Sequence, residues 1–298
     1  MVNVLSDYDI FNLEVEYMSG NQEQLRFDLD AEYIVVQNNS LVMGNYDMTT
    51  MEQKLFMIML STIKKDDTST KATSFRVIDL AEIMQITPQV LYRDLKDICK
   101  SLMSKVVEVK MDNGDWDIFN IISKAEYKKG QGVITITINK LSEPYLLQLK
   151  ELFTAFKLDN VLCMDGKYAI RVYQQAKSNI YKGEYIINID EFKKQLKLTQ
   201  NSYSKYGNIK AKILTPAIKE INEKTDINLI VEEIKVGKKV GALKFKASNK
   251  ENQQKVTVSK NRNSPSKSNI NGFNNFIGRN YSIEEHSNIE NKLLGWDE

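Results

Sequence analysis

The chain has 298 residues, 41 Lys plus Arg against 39 Asp plus Glu, and 42% hydrophobic residues, enough for two cores of ordinary domain size. Two distant cysteines, Cys99 and Cys163, supply neither a disulfide framework nor a thiolate metal cluster, and a single histidine, His286, rules out metal motifs built on a histidine pair. No P-loop motif is present, the first residues carry acids where a secretory signal carries bases, and no apolar run approaches the ~20 residues that cross a bilayer. The expectation is a cytoplasmic protein, free of cofactor, metal and membrane, that binds rather than catalyses.

Charge is distributed unevenly along the chain. Residues 1–60 hold 2 bases and 10 acids, residues 61–165 hold 15 of each, residues 166–248 hold 17 bases and 8 acids, and residues 249–298 hold 7 and 6. A segment at +9 is either an electrostatic footprint for phosphate or a solvated lysine-rich surface. Residues 1–32 form an acidic N-terminal segment.

An α+β fold of two tandem winged helix-turn-helix domains follows from the elements in chain order. In the first domain, residues 33–142, Thr49 and Glu52 are spaced as a capping box for a helix with Leu55, Phe56, Met59, Leu60 and Ile63 on one face. A strand at 75–77 leads to a helix at 79–84. Thr87 and Pro88 then open a helix over 89–105 that turns Val90, Leu91, Leu95, Ile98 and Leu102 inward. Alternating segments at 106–111 and 116–123, joined by Asn113-Gly114, and a third at 133–138 complete a β-sheet. Residues 143–165 read as a connecting helix.

The second domain, 166–248, begins with a helix bearing Tyr168, Ile170, Arg171, Tyr173 and Gln174. A short helix follows, starting at Asn188, Asp190 and Glu191 and ending near Leu196. A polar turn over 199–207 precedes a helix over 208–224 with Ile209, Ile213, Leu214, Ala217, Ile218 and Ile221 on its apolar face. Pro216 should kink that helix or restart it after Thr215. Segments 228–235 and 240–246 form a basic hairpin, the expected wing. Residues 249–282, rich in Asn, Ser and Lys, read as a disordered linker. The apolar spacing of Ile283, Ile289, Leu293 and Leu294 predicts a short amphipathic helix over 283–298.

This arrangement presents a last helix to the major groove and a wing to an adjacent groove or strand. Candidate contacts in the second domain are Ser202, Tyr203, Lys205, Tyr206, Asn208, Lys210, Lys212 and Lys219, with Lys238 and Lys239 at the hairpin tip. Asn can read adenine bidentately, Lys can read guanine or hold phosphate, and Ser and Tyr suit phosphate oxygens. The equivalent helix of the first domain offers Gln89, Tyr92, Arg93 and Lys96, interleaved with Asp94 and Asp97. That face is a weaker DNA contact, a self-association surface or an ordinary solvated face. Asp112, Asp115 and Asp117 lack the distal Glu of a calcium loop and read as a hairpin turn. Tyr203 and Tyr206 have no Arg/His constellation that would make either a nucleophile.

Three blocks carry a family resemblance. They are residues 36–55, with Thr49 and Glu52-Gln-Lys54; residues 75–83, followed by the Tyr92 helix; and Tyr206-Gly-Asn-Ile-Lys-Ala-Lys-Ile-Leu-Thr-Pro-Ala-Ile-Lys-Glu-Ile-Asn222 with Thr225-Asp226 and Gly237-Lys-Lys-Val240. Together, over about residues 33–247, the chain resembles iteron-binding plasmid replication initiators. Residues 273–281 and 289–296 also resemble tails of other Gram-positive replication proteins. The family resemblance implies binding of double-stranded DNA at directly repeated origin sites, opening of an adjacent AT-rich region, and recruitment of the host initiator and replicative helicase machinery. It also implies self-association, with dimers repressing their own gene through the first domain. By position it places Lys205, Tyr206, Asn208, Lys210 and Lys212 on the DNA-reading element and Lys238 and Lys239 on its wing. Arg93 and Lys96 fall on the corresponding helix of the first domain. A winged-helix transcriptional regulator, or a helicase-loading adaptor that binds DNA nonspecifically, would use the same parts.

Overall fold

A computed structural model describes Asp30 and residues 32–250, apart from 65, 66, 111, 112, 129, 148, 150 and 151. The acidic N-terminal segment, save Asp30 and Glu32, and the expected linker and amphipathic helix beyond Lys250 lie outside the described residues.

The N-terminal half opens with β1 (Ile34–Asn38), a single helical turn α1 (Asn39–Val42), and α2 (Thr50–Ser61). The capping box is formed as its spacing predicts. Glu52 N–H donates to Thr49 Oγ1 at 3.3 Å, and Thr49 N–H donates to Glu52 Oε2 at 2.7 Å, so two otherwise orphaned donors are satisfied. Next come β2 (Thr73–Arg76), α3 (Val77–Ile83) and α4 (Pro88–Ser104), which Pro88 opens at a position where its missing N–H costs nothing. Four strands follow: β3 (Val106–Lys110), β4 (Trp116–Asn120), β5 (Ile122–Lys128) and β6 (Val133–Ile138). β2, β6 and β5 form an antiparallel sheet in that order, and β3 and β4 form a separate hairpin.

The C-terminal half repeats the plan. α6 (Lys167–Ser178), β8 (Glu184–Asn188) and α7 (Ile189–Gln195) lead to a long helical run, and β9 (Ile227–Val236) and β10 (Lys239–Asn249) close it. Here the sheet order is β8-β10-β9. Both halves therefore read helix, strand, helix, helix, strand, strand, with the last strand in the middle of a three-stranded antiparallel sheet. That is the winged-helix arrangement, and the first half carries the β3–β4 hairpin as an insertion. The two cores are continuous through buried residues that include Phe56, Tyr173 and Phe192.

Two expectations are corrected. Residues 143–165 are not a connecting helix. They hold the end of a 3₁₀ turn (Lys140–Tyr145), then β7 (Phe153–Lys157) and one helical turn α5 (Asp159–Leu162). Pro144 lies within the 3₁₀ turn, and Phe153, Thr154 and Phe156 are consumed by antiparallel pairing with β1, Val36 opposite Ala155. Val90 does not turn inward. It is 37% exposed, because Leu91, Leu95, Cys99 and Leu102 supply the stripe that α4 buries.

Pro216 lies in the first turn of the α-helix that restarts at Thr215, one of the two outcomes its position suggested. Helical residues Tyr206–Ile209 (α8) pass into a widened turn, Lys210–Leu214, and continue as α9 (Thr215–Lys224). Thr215 N–H reaches back five residues to Lys210 O. In a regular ladder the Pro216 ring would collide with the carbonyl of Lys212; widening the turn moves that carbonyl aside without breaking the helix.

Candidate nucleic-acid interface

The 206–224 run buries Ile209, Ile213, Leu214, Ala217 and Ile221 and leaves Lys205, Gly207, Lys210, Ala211, Lys212, Thr215, Pro216 and Lys219 exposed. Residues 210–212 face solvent together because Ile209 and Ile213, four apart, are the buried positions on either side of them. Ahead of it, a 3₁₀ turn (Asn201–Ser204) is tied down by its own groups. Asn208 Nδ2 donates to Ser202 O at 2.6 Å, and Ser204 Oγ donates to Asn201 O at 2.7 Å. Asn208 thus spends its amide N–H₂ holding the turn against the helix. Ser202 is half-buried, and Tyr203 packs its half-buried ring on the core.

Tyr206 and Lys210 converge on one carboxylate of β9. The Tyr206 hydroxyl donates to Glu233 Oε1 at 3.1 Å, and Lys210 Nζ donates to the same atom at 2.7 Å. The Lys210 hydrogen bond holds the Glu233 carboxyl below the usual glutamate range, while burial, with Glu233 beside it, pushes the Tyr206 phenol up. The positions read from sequence omitted Glu233. Its signal is there in hindsight: Glu232-Glu233 is an acidic pair inside an otherwise basic hairpin.

The wing is built as its sequence suggests. Val236 pairs with Lys239 across a tip of Gly237 and Lys238, and Gly237 holds φ +62°, a conformation an L side chain resists. Lys238 and Lys239 are exposed there. Among the described residues, Lys205, Lys212, Lys235, Lys238 and Lys239 have no ion-pair partner, and Lys219 has only a distant contact at 3.9 Å to Glu223. On the sheet behind them the lysines are matched. Lys244 contacts Glu184 at 2.7 Å and Lys246 contacts Glu232 at 2.5 Å. Much of the unpaired positive charge of the C-terminal half therefore lies at the start of the helix 206–224 and on the wing, although Lys182 and Lys194 elsewhere in that half also make no ion pair among the described residues.

The first-domain positions form a separate group on α4. Gln89 and Lys96 are exposed. Tyr92 is half-buried with its ring edge-on to Tyr127, centroids 6.3 Å apart. Arg93 is held by a fork of bonds at 2.7 and 2.8 Å to neighbouring Asp94, which offsets the charge it would offer a phosphate. The Asp117 carboxylate accepts the Tyr145 hydroxyl at 2.7 Å, and no metal-competent cluster occurs among the described residues. No helix among them is long and apolar enough to cross a membrane.

A tandem winged-helix protein with one strongly basic helix-and-wing face is the class that this fold and charge pattern define. The family description "Initiator Replication protein, WH1" matches residues 34–177, and "Initiator Rep protein, WH2" matches residues 188–247. The chain belongs to this initiator replication protein family.

Relatives agree with that placement. A "Replication initiation protein" of Escherichia coli is 26% identical over 214 residues, a match covering 68% of this chain and 66% of the relative, just under two thirds of its length. A "PI protein" of Escherichia coli is 30% identical over 207 residues, covering 57% of this chain and 67% of the relative. In fold, the chain is similar to the crystal structure of a Pi initiator protein in complex with iteron DNA. The TM-score is 0.61 at 23% identity, covering 74% of this chain and 99% of that one.

Proposed function

We propose that the protein initiates plasmid replication by binding repeated sites in the origin as sequence-specific double-stranded DNA, without catalysing a reaction itself. The observation that carries this reading is the segregation of charge: unpaired Lys205, Lys212, Lys238 and Lys239 lie on the helix start and wing, while lysines on the sheet behind are paired with acids. The helix 206–224 enters the major groove with Lys210 and Lys212 toward base edges or phosphates, Lys205, Ser202 and Tyr203 flank it, and the wing reaches a neighbouring strand. Asn208 sets the turn and keeps only its carbonyl oxygen for a base. Gln89, Tyr92 and Lys96 on α4 make a second, weaker contact, and Arg93 contributes less because Asp94 holds it.

The resemblance to replication initiators, the name of the Escherichia coli relative and the DNA complex of the similar Pi structure support the same assignment. In that role the protein opens an adjacent AT-rich region, engages the host initiator and replicative helicase machinery in the cytoplasm, and represses its own gene as a dimer. Footprinting on the DNA upstream of the gene tests the reading. Protection of evenly spaced repeats, with affinity about 10³ or more above scrambled duplex, is expected; equal binding to both sequences overturns it.

A further inference from the structure

α6 is gripped from both sides. Its N-cap, Gly166, has no side chain with which to cap the helix. A carboxylate from α9 holds the backbone that leads into the helix: Asp165 N–H donates to Glu220 Oε1 at 2.6 Å and Gly166 N–H to Glu220 Oε2 at 3.0 Å. Because both oxygens are used, the contact fixes orientation as well as distance. Lys224, one turn further along α9, bonds Glu220 at 3.0 Å and Asp165 at 2.7 Å.

The same three residues, 165–167, are held from the other side by α2 of the N-terminal half. Thr50 Oγ1 donates to Asp165 O at 2.7 Å and Gln53 Nε2 to Lys167 O at 3.0 Å. The basic helix is thus joined to the first domain by a short hydrogen-bonded path: α2, the backbone of 165–167, and Glu220. Gly166 is part of the device. A Cβ there would lie 2.8 Å from Glu220 Oε2, so any other residue would push the carboxylate from this position. At the other end of α6, Asp226 accepts the Tyr173 hydroxyl at 3.0 Å and Lys177 at 2.6 Å.

We propose that Glu220 is a positioning residue that sets the placement of the basic helix relative to the first domain, and thereby the length of duplex repeat the protein accepts. The proposal rests on the reading above, in which α4 and the helix 206–224 meet the same DNA. The lever makes the effect large. From Glu220 to the start of the helix is about 20 Å at ~1.5 Å per residue, so a rotation of about 10° about the clamp, of the helix together with the sheet it packs on, moves the reading end by roughly 3 Å. That is on the order of the ~3.4 Å rise of one base pair.

The test uses the full chain and duplexes carrying one origin repeat, either intact or with one base pair inserted between the segments protected by the two domains. Wild type is expected to lose about tenfold or more on insertion, in the range of one mismatched contact. Glu220→Ala and Gly166→Ala are expected to bind the intact repeat about tenfold more weakly and the inserted repeat within about threefold of the intact one. Glu220→Gln, which keeps one acceptor oxygen, should fall between them and wild type. Variants that keep the wild-type ratio overturn the proposal, and so does a wild-type protein indifferent to the insertion. In that last case, binding of the intact repeat above scrambled duplex separates this failure from failure of the initiator reading.

A DNA-free measurement guards against loss of folding. Spin labels at Lys100→Cys and Lys235→Cys, in a chain carrying Cys99→Ala and Cys163→Ala, report the distance between the domains. The distribution should broaden with Glu220→Ala while circular dichroism stays unchanged, and an unaltered distribution refutes the clamp.

Discussion

The guanidinium of Arg171 sits over the ring of Tyr46, its central carbon 3.8 Å from the ring centroid, and both side chains are buried. One Arg171 nitrogen donates to the Tyr46 hydroxyl and another to Gly44 O at 2.8 Å, so the middle of α6 is anchored in the segment after α1. Burial lowers the Arg171 pKa and raises that of Tyr46, yet guanidinium stays charged at any ordinary pH. Among the described residues no carboxylate pairs with it; the tyrosine face and the carbonyl carry the compensation.

Removing this cation leaves a buried carbonyl and hydroxyl without their donor. Arg171→Met should therefore destabilise the protein by about 2–4 kcal/mol despite its similar volume. Arg171→Lys should recover only part of that, since an ammonium cannot make the planar fork and stack together. Urea unfolding of the three proteins decides it, and a variant as stable as wild type contradicts the anchoring role.

DNA binding should separate Lys212 from Lys210. Lys212→Ala is expected to weaken binding and reduce the slope of log affinity against log salt by about 1, the signature of one lost phosphate contact. Lys210→Ala should cost less, because Lys210 must first leave Glu233, 2.7 Å away. Glu233→Gln should strengthen binding by removing the competing anion. A salt titration in which Lys212→Ala matches wild type would place the DNA on another face.

Acid stability has a defined sign. Glu233, hydrogen-bonded by Lys210, and Asp165, hydrogen-bonded by Lys224, both titrate below their ordinary values of 4.5 and 3.8. Carboxyls with depressed folded values contribute stability that is present above the unfolded value and lost as pH falls through the folded one. Unfolding free energy should be level near neutrality and decline below about pH 4.5, and Glu233→Gln should flatten part of that decline. Lys224 is shifted upward by Asp165, so its contribution holds below 10.5 and disappears at higher pH. Urea titrations at stepped pH measure both limbs.

The thiols should differ in reactivity. Burial pushes both thiols up, Cys99 to about 11, but Cys99 is 4% exposed whereas Cys163 is half-buried with its thiol toward Lys224 O at 3.3 Å. A thiol reagent at neutral pH should modify Cys163 first and Cys99 only as the chain unfolds. Simultaneous modification of both in native buffer would show that the α4 core opens readily.

Features whose parts lie within a few residues were legible. The Thr49–Glu52 capping box, the Asn188 cap that accepts from Asp190 N–H, and the Gly237 hairpin tip each depend on local backbone geometry, and each formed where its spacing indicated. Residues 143–156 misled because their apolar spacing suits a helix, while a strand 115 or more residues earlier offered Phe153, Thr154 and Phe156 a partner. Within the candidate site, the basic residues could be named from the chain, but which are already engaged could not. Glu233 selects Lys210 and Tyr206, Asp94 selects Arg93, and Ser202 O occupies Asn208.

The amino-acid order alone determined two winged-helix units, the concentration of positive charge in the second, and the helix and hairpin that carry it, because periodicity, caps and turns act over a few residues. Tertiary structure decided which lysines remain unpaired, how the helix passes Pro216, and how Glu220 and Arg171 bind α6 to the two halves. Those outcomes depend on groups 14 or more residues apart being brought within hydrogen-bond reach, or on how a ring fits a widened turn, and no local pattern encodes such distances.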